Sequence, residues 1–96
     1  MKIKSYKSYR LKSHPYAQCI VKEINNYKLI LQSYSTDVII FNKRTGILTC
    51  TGLYSMTTRT HITWFLKEYF PALDFKTITT IAINNLKYNV YTGEII

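Results

Sequence analysis

The feature that most constrains this chain is a change of hydrophobic period near residue 56. Upstream of it lie four short apolar runs, AQCIVKEI (17–24), KLILQSY (28–34), DVIIFN (37–42) and ILTCT (47–51), separated by turn residues. Runs of that length, rich in β-branched residues and bounded by Asn, Asp and Gly, read as strands. Asn25 and Asn26 tolerate the positive φ that a tight hairpin needs, and Gly46, after Lys43-Arg44-Thr45, supplies the left-handed position of a longer loop. The four runs therefore pair as two hairpins of one antiparallel meander. Downstream, Ile62, Phe65, Leu66, Tyr69 and Phe70 recur at i, i+3, i+4, i+7 and i+8, the stripe of an amphipathic helix facing a core. Ser55 or Thr57 can accept a hydrogen bond from a free N–H at its start, and Pro71 closes it.

After a connector over 72–76, TITTIAI (77–83) and LKYNVY (86–91) flank Asn84-Asn85 and predict a third hairpin. The predicted order is ββββαββ. It describes an α+β domain over 17–96, a four-stranded antiparallel meander packed on one helix, with a C-terminal hairpin extending the sheet or covering the helix. Residues 1–16 stand apart, with Lys2, Lys4, Lys7, Arg10 and Lys12 interleaved with Tyr6, Tyr9 and Tyr16 and no acid. Such a segment is a mobile basic arm or an edge strand that orders on a partner.

Ninety-six residues hold one core, so any site lies on its surface or in a shallow cleft. Thirteen Lys and Arg against five acids give a net charge of +8, which draws polyanions or acidic protein surfaces. An AT-rich coding sequence, enriched in Lys, Ile, Asn and Tyr, yields the same excess without selection for binding. Cys19 and Cys50 lack the paired spacing of a zinc site or a disulfide framework, and read as buried strand thiols in a reducing cytoplasm. The basic N-terminus is not followed by the apolar stretch of a signal peptide, and no run is long enough to cross a membrane. The expectation is a soluble cytoplasmic protein without a membrane partner.

His61, among Ser55, Thr57, Thr58 and Thr60, invites a catalytic reading. Nucleophilic catalysis also needs a group that orients the base and donors for an oxyanion, and nothing nearby supplies them. At about 100° per residue His61 falls at the edge of the apolar stripe, where a histidine half-buries and bonds a neighbouring backbone group. Glu23, Asp37, Glu68, Asp74 and Glu94 are dispersed without a metal-binding spacing, and Gly46, Gly52 and Gly93 form no phosphate-cradling loop. The sequence predicts no enzyme, no metal and no cofactor.

Binding is better supported. Trp64 lies opposite Ile62 and Phe65 on the helical wheel, either as an exposed contact residue or packed on the N-terminal arm or the last hairpin. Lys2, Lys4, Lys7, Arg10 and Lys12, with Lys43 and Arg44 in a hairpin loop and Arg59 and Lys67 on the helix, are the candidate cations. Such residues neutralise phosphates while tyrosines stack on unpaired bases. The expected partner is nucleic acid, single-stranded DNA included, or a nucleic-acid-processing protein.

Ser33, Tyr34 and Thr36, then Gly46, then Gly52, Tyr54, Ser55, Thr57, Thr58, His61, Ile62, Phe65 and Leu66 make a pattern, S-Y-x-T followed by G-x-Y-S-x-T-T-x-x-H-I-x-x-F-L. It resembles a family of small uncharacterised proteins from phages, plasmids and integrative elements of Gram-positive bacteria. The resemblance implies a mobile-element setting and brings no catalytic residue. In that setting a small basic protein is an accessory factor of replication or transfer. Alternatively it is an inhibitor of host defence, anti-CRISPR-like, that binds a nuclease, or an enzyme whose site is assembled from distant residues.

Overall fold

The computed structural model describes residues 6–51, 55–84 and 86–96. Seven strands form one antiparallel sheet whose spatial order follows the chain: β1 (Tyr6–Tyr9), β2 (Cys19–Ile24), β3 (Lys28–Ser33), β4 (Thr36–Asn42), β5 (Ile47–Cys50), β6 (Lys87–Asn89) and β7 (Glu94–Ile95). Two helices, α1 (Met56–Tyr69) and α2 (Phe75–Asn84), interrupt the meander between β5 and β6. The architecture is α+β, and the expected four-strand meander sits at its centre.

Register explains the core. Rows of facing residues run across the sheet, Val21, Leu31, Ile39 and Cys50 in one and Leu29, Phe41, Leu48 and Tyr88 in the next. Because side chains alternate in direction along a strand, both rows point to the same face. The register shifts between Leu31 and Gln32, where Ile39 and Asp37 are the successive partners and Val38 is the extra residue. This bulge lets both Val38 and Ile39 be fully buried. From above, α1 contributes Ile62, Phe65 and Leu66, all fully buried, as its period requires. Removing one large side chain there, as in Phe65→Ala, costs about 3–5 kcal/mol.

The turns match their residues. Asn25 (φ 53°) and Asn26 (φ 61°) make the β2–β3 turn, and Gly46 (φ 78°) closes the β4–β5 loop. Ser55 caps α1 by accepting from the Thr58 N–H at 3.3 Å, and the helix ends at Tyr69, just before Phe70 and Pro71.

Two expectations are corrected. TITTIAI is not a strand but most of α2, so the described residues form two helices and the order ββββαββ does not hold. The β-branched run favours a strand by propensity, yet Ile78, Ile81 and Ala82 stand at i, i+3 and i+4 and are buried together in the core. Asp74 starts this helix by accepting from the Thr77 N–H at 2.8 Å, so capping and packing override propensity. The last hairpin is instead β6–β7, turned through Gly93 (φ 80°), and Asn85 lies outside the described residues. The N-terminal segment is tied to the domain. Tyr6–Tyr9 pairs with β2 as an edge strand, and Leu11 is fully buried.

Candidate nucleic-acid interface

The β3–β4 connection places the first part of the site. It is a two-residue turn, and Tyr34 occupies it with φ 56°, a left-handed conformation that is strained for an aromatic residue. Its N–H donates to the Gln18 carbonyl and its own carbonyl accepts from Gln32 Nε2, each at 2.8 Å. Those bonds hold the backbone while the side chain stays 55% exposed. Strain retained in this way is characteristic of functional positions.

Immediately before it, Ser33 points inward and meets α1. Its Oγ lies 3.1 Å from Thr58 Oγ1 and 2.8 Å from His61 Nδ1, and all three residues are buried. Either hydroxyl of the Ser33–Thr58 pair can be the donor, and with Ser33 donating to His61 Nδ1 the ring proton sits on Nε2. Burial lowers the His61 pKa, so the ring is neutral at pH 7. The expected backbone bond to His61 is replaced by this side-chain network.

The segment after β1 supplies the second wall. The Lys12 and Ser13 N–H groups donate to the two carboxylate oxygens of Glu68 at 3.0 and 3.1 Å, and the Ser13 hydroxyl adds a third bond. Burial pushes the Glu68 carboxyl up, but these donors outweigh it and the group titrates below its ordinary range. Anchored there, the segment runs back along α1 and lays the His14 ring on Trp64, with centroids 3.6 Å apart and planes within 7°. Of the two placements open to Trp64, packing on the N-terminal segment is the one found, and its side chain is half-buried.

Between these walls lies an open groove of about 450 Å³. Tyr16, Tyr34 and Trp64 surround it, Thr57 and Gln18 border it, and His61 forms its floor, 5.6 Å from the Tyr34 ring and 5.9 Å from Trp64. Tyr16 is 93% exposed. A smaller cleft shares Gln18 and Tyr34 with the groove and brings in Arg10 and Gln32. One Arg10 N–H is spent on the Ala17 carbonyl at 3.1 Å. None of the described residues lining either cleft is an acid.

The predicted cations do not form one surface. Arg10 borders this site, while Lys12 lies beside it on the Glu68 anchor. Lys43 and Arg44 sit at the far end of β4, where Lys43 is ion-paired to Glu23 at 2.8 Å and Arg44 lies 4.3 Å over the Tyr27 ring. Lys7 is exposed on β1, on the same side of the sheet as Glu23. Lys67 lies 5.2 Å over Phe75, and Arg59 lines a cleft with Thr79, Ala82 and Ile83 of α2. Lys2 and Lys4 lie outside the described residues, as do Gly52 and Tyr54 of the sequence pattern. His14, Gln18 and Gln32 were not candidates from sequence, and Tyr16 entered only as one of the arm's tyrosines. Only tertiary packing brings them together, although S-Y-x-T and the helix pattern had already singled out Ser33, Tyr34, Thr57, Thr58 and His61.

The remaining chemistry is quiet. Cys19 and Cys50 are buried, and burial pushes the Cys19 thiol up despite the pull of Arg10, which leaves it protonated and unreactive. Among the described residues no three His, Cys, Asp or Glu side chains gather as a metal site, and no helix is long and apolar enough to cross a membrane. A family of unknown function, DUF8033, matches residues 1–83, which include the whole groove. No curated protein and no solved structure matches the chain.

Proposed function

Because the chain belongs to that family, whose function is unknown, its role has to be read from its own surface, and we propose that it binds single-stranded nucleic acid without catalysing a reaction. The observation that carries this reading is the acid-free groove in which Tyr16, Tyr34 and Trp64 stand around one opening with Arg10 beside it. Exposed aromatic faces stack on bases of any sequence, at about 1–3 kcal/mol per base, and a neighbouring guanidinium neutralises a phosphate. Duplex DNA hides its base faces and gains nothing from such a groove. In the mobile-element setting that the sequence pattern implies, this is the work of an accessory factor in replication or transfer.

The test is a fluorescence anisotropy titration of a labelled single strand and of the matching duplex over a range of salt. The reading expects tighter binding of the single strand, weakening as salt rises, and loss of that preference in Tyr16→Ala. Equal binding of both forms, or none, overturns it.

A second reading has an observation of its own. Leu29, Phe41, Phe70, Leu73 and Tyr91 line an apolar groove of about 510 Å³ at the other end of α1, which suits a protein partner such as a host nuclease. A tagged pull-down with and without nuclease treatment separates the two, since only a protein partner survives digestion.

A further inference from the structure

The floor of the aromatic groove holds an unspent polar group. His61 is 97% buried, being 3% exposed, and its Nδ1 is occupied by the Ser33 hydroxyl. Its other nitrogen, Nε2, has no hydrogen-bond partner among the described residues, yet it is not among the enclosed unpaired atoms, where Arg59 Nε alone is found. Nε2 therefore keeps an opening, and His61 lines the groove. Through that opening a polar atom of a ligand in the groove can pair with Nε2.

The direction of the Ser33–His61 bond decides what that ligand must offer. With the Ser33 hydroxyl donating to Nδ1 at 2.8 Å, Nε2 carries N–H and presents a donor. The flanking rings of Tyr34 and Trp64 favour a flat molecule, and a groove of about 450 Å³ has room for one ring system of nucleobase size. Resting on the single-strand reading above, we infer that Ser33 donates to His61 Nδ1 and that the groove receives one unstacked base whose exocyclic carbonyl oxygen accepts the Nε2–H bond of His61. Thymine and uracil carry carbonyls that project beyond the ring and reach the floor. Adenine has none, and its acceptors are ring nitrogens set back in the edge. The groove is thus a base-selective pocket within a stacking surface, with His61 as the selecting residue.

The experiment measures anisotropy with labelled oligothymidylate and oligodeoxyadenylate of about eight nucleotides, a length one small domain covers. Wild-type protein is expected to favour oligothymidylate, and His61→Phe, which keeps a ring of similar size but no donor, to lower the ratio of the two affinities about three- to tenfold, the worth of one hydrogen bond. Strand stiffness differs between the two oligomers but cancels when the variants are compared. A second arm leaves the protein untouched: oligothymidylate carrying an apolar thymine isostere, with fluorines in place of the carbonyls, is expected to bind about three- to tenfold more weakly. An unchanged ratio in His61→Phe, together with full affinity for the isostere, overturns the inference while single-strand binding stands. Absence of salt-dependent binding to any oligomer overturns both.

Discussion

The two ends of the central strands carry positive charge in opposite ways. At the β4–β5 loop the cations are already engaged, Lys43 by the Glu23 carboxylate and Arg44 by the Tyr27 ring. At the β3–β4 turn Tyr16 and Tyr34 are uncovered, buried His61 lines the opening, and none of the described residues around it is an acid. Charge density alone points to both ends. What separates them is whether the polar and aromatic groups have been satisfied within the fold: Lys43 and Arg44 at the loop end are engaged, whereas the Tyr16 and Tyr34 rings at the turn end are exposed.

The largest expected effect tests that contrast directly. Tyr16→Ala and Tyr34→Gly are each expected to weaken single-strand binding about tenfold or more, the cost of one stacking platform. Lys43→Ala with Arg44→Ala should reduce affinity only through the salt slope. Equal losses at the two ends would dissolve the distinction. Tyr34→Gly has a second readout, because glycine relieves the left-handed strain of roughly 1 kcal/mol. Its melting temperature should hold or rise while binding falls, the mark of a residue kept for function.

Ser33→Ala comes next. It leaves the Thr58 hydroxyl and His61 Nδ1 without their shared partner inside the core, a loss of about 1–3 kcal/mol in denaturant unfolding. An unchanged midpoint would show that the relay contributes nothing.

The pH dependence of stability is a smaller effect with a definite sign. Burial depresses the His61 pKa from 6.5, so below about pH 6.5 the unfolded chain takes up a proton that the folded one refuses. Melting temperature should fall as pH drops below that value, and His61→Phe should flatten the decline. Glu68 acts lower down. Its depressed folded pKa stabilises the protein above 4.5, and that contribution is lost as pH falls through the folded value, together with those of Glu23 and Asp74. Smallest of all is Lys43→Ala, which opens a partly exposed ion pair and should leave the melting temperature unchanged.

Local rules were legible in the sequence wherever neighbours in the chain decide the structure. The hairpins around Asn25-Asn26 and Gly46, the stripe of α1 and its Ser55 cap all follow from period and turn chemistry. α2 did not, because its run of Thr and Ile favours a strand until Ile78, Ile81 and Ala82 find a core to enter. The groove was less legible still. Tyr34 reads as a strand end, His14 as part of a basic arm, and Trp64 as either an exposed ring or one packed on the arm or the last hairpin. Their meeting depends on Glu68 anchoring Lys12 and Ser13 on α1, a contact across 55 residues or more. Net charge, plain in the composition, located no site by itself.

Trp64 is the chain's single tryptophan and stands in the groove, so its emission reports on that surface without a label. Titrating the protein with oligothymidylate should quench Trp64 fluorescence saturably, with the same midpoint as anisotropy. Binding seen by anisotropy while Trp64 emission stays constant would place the nucleic acid elsewhere and contradict the account.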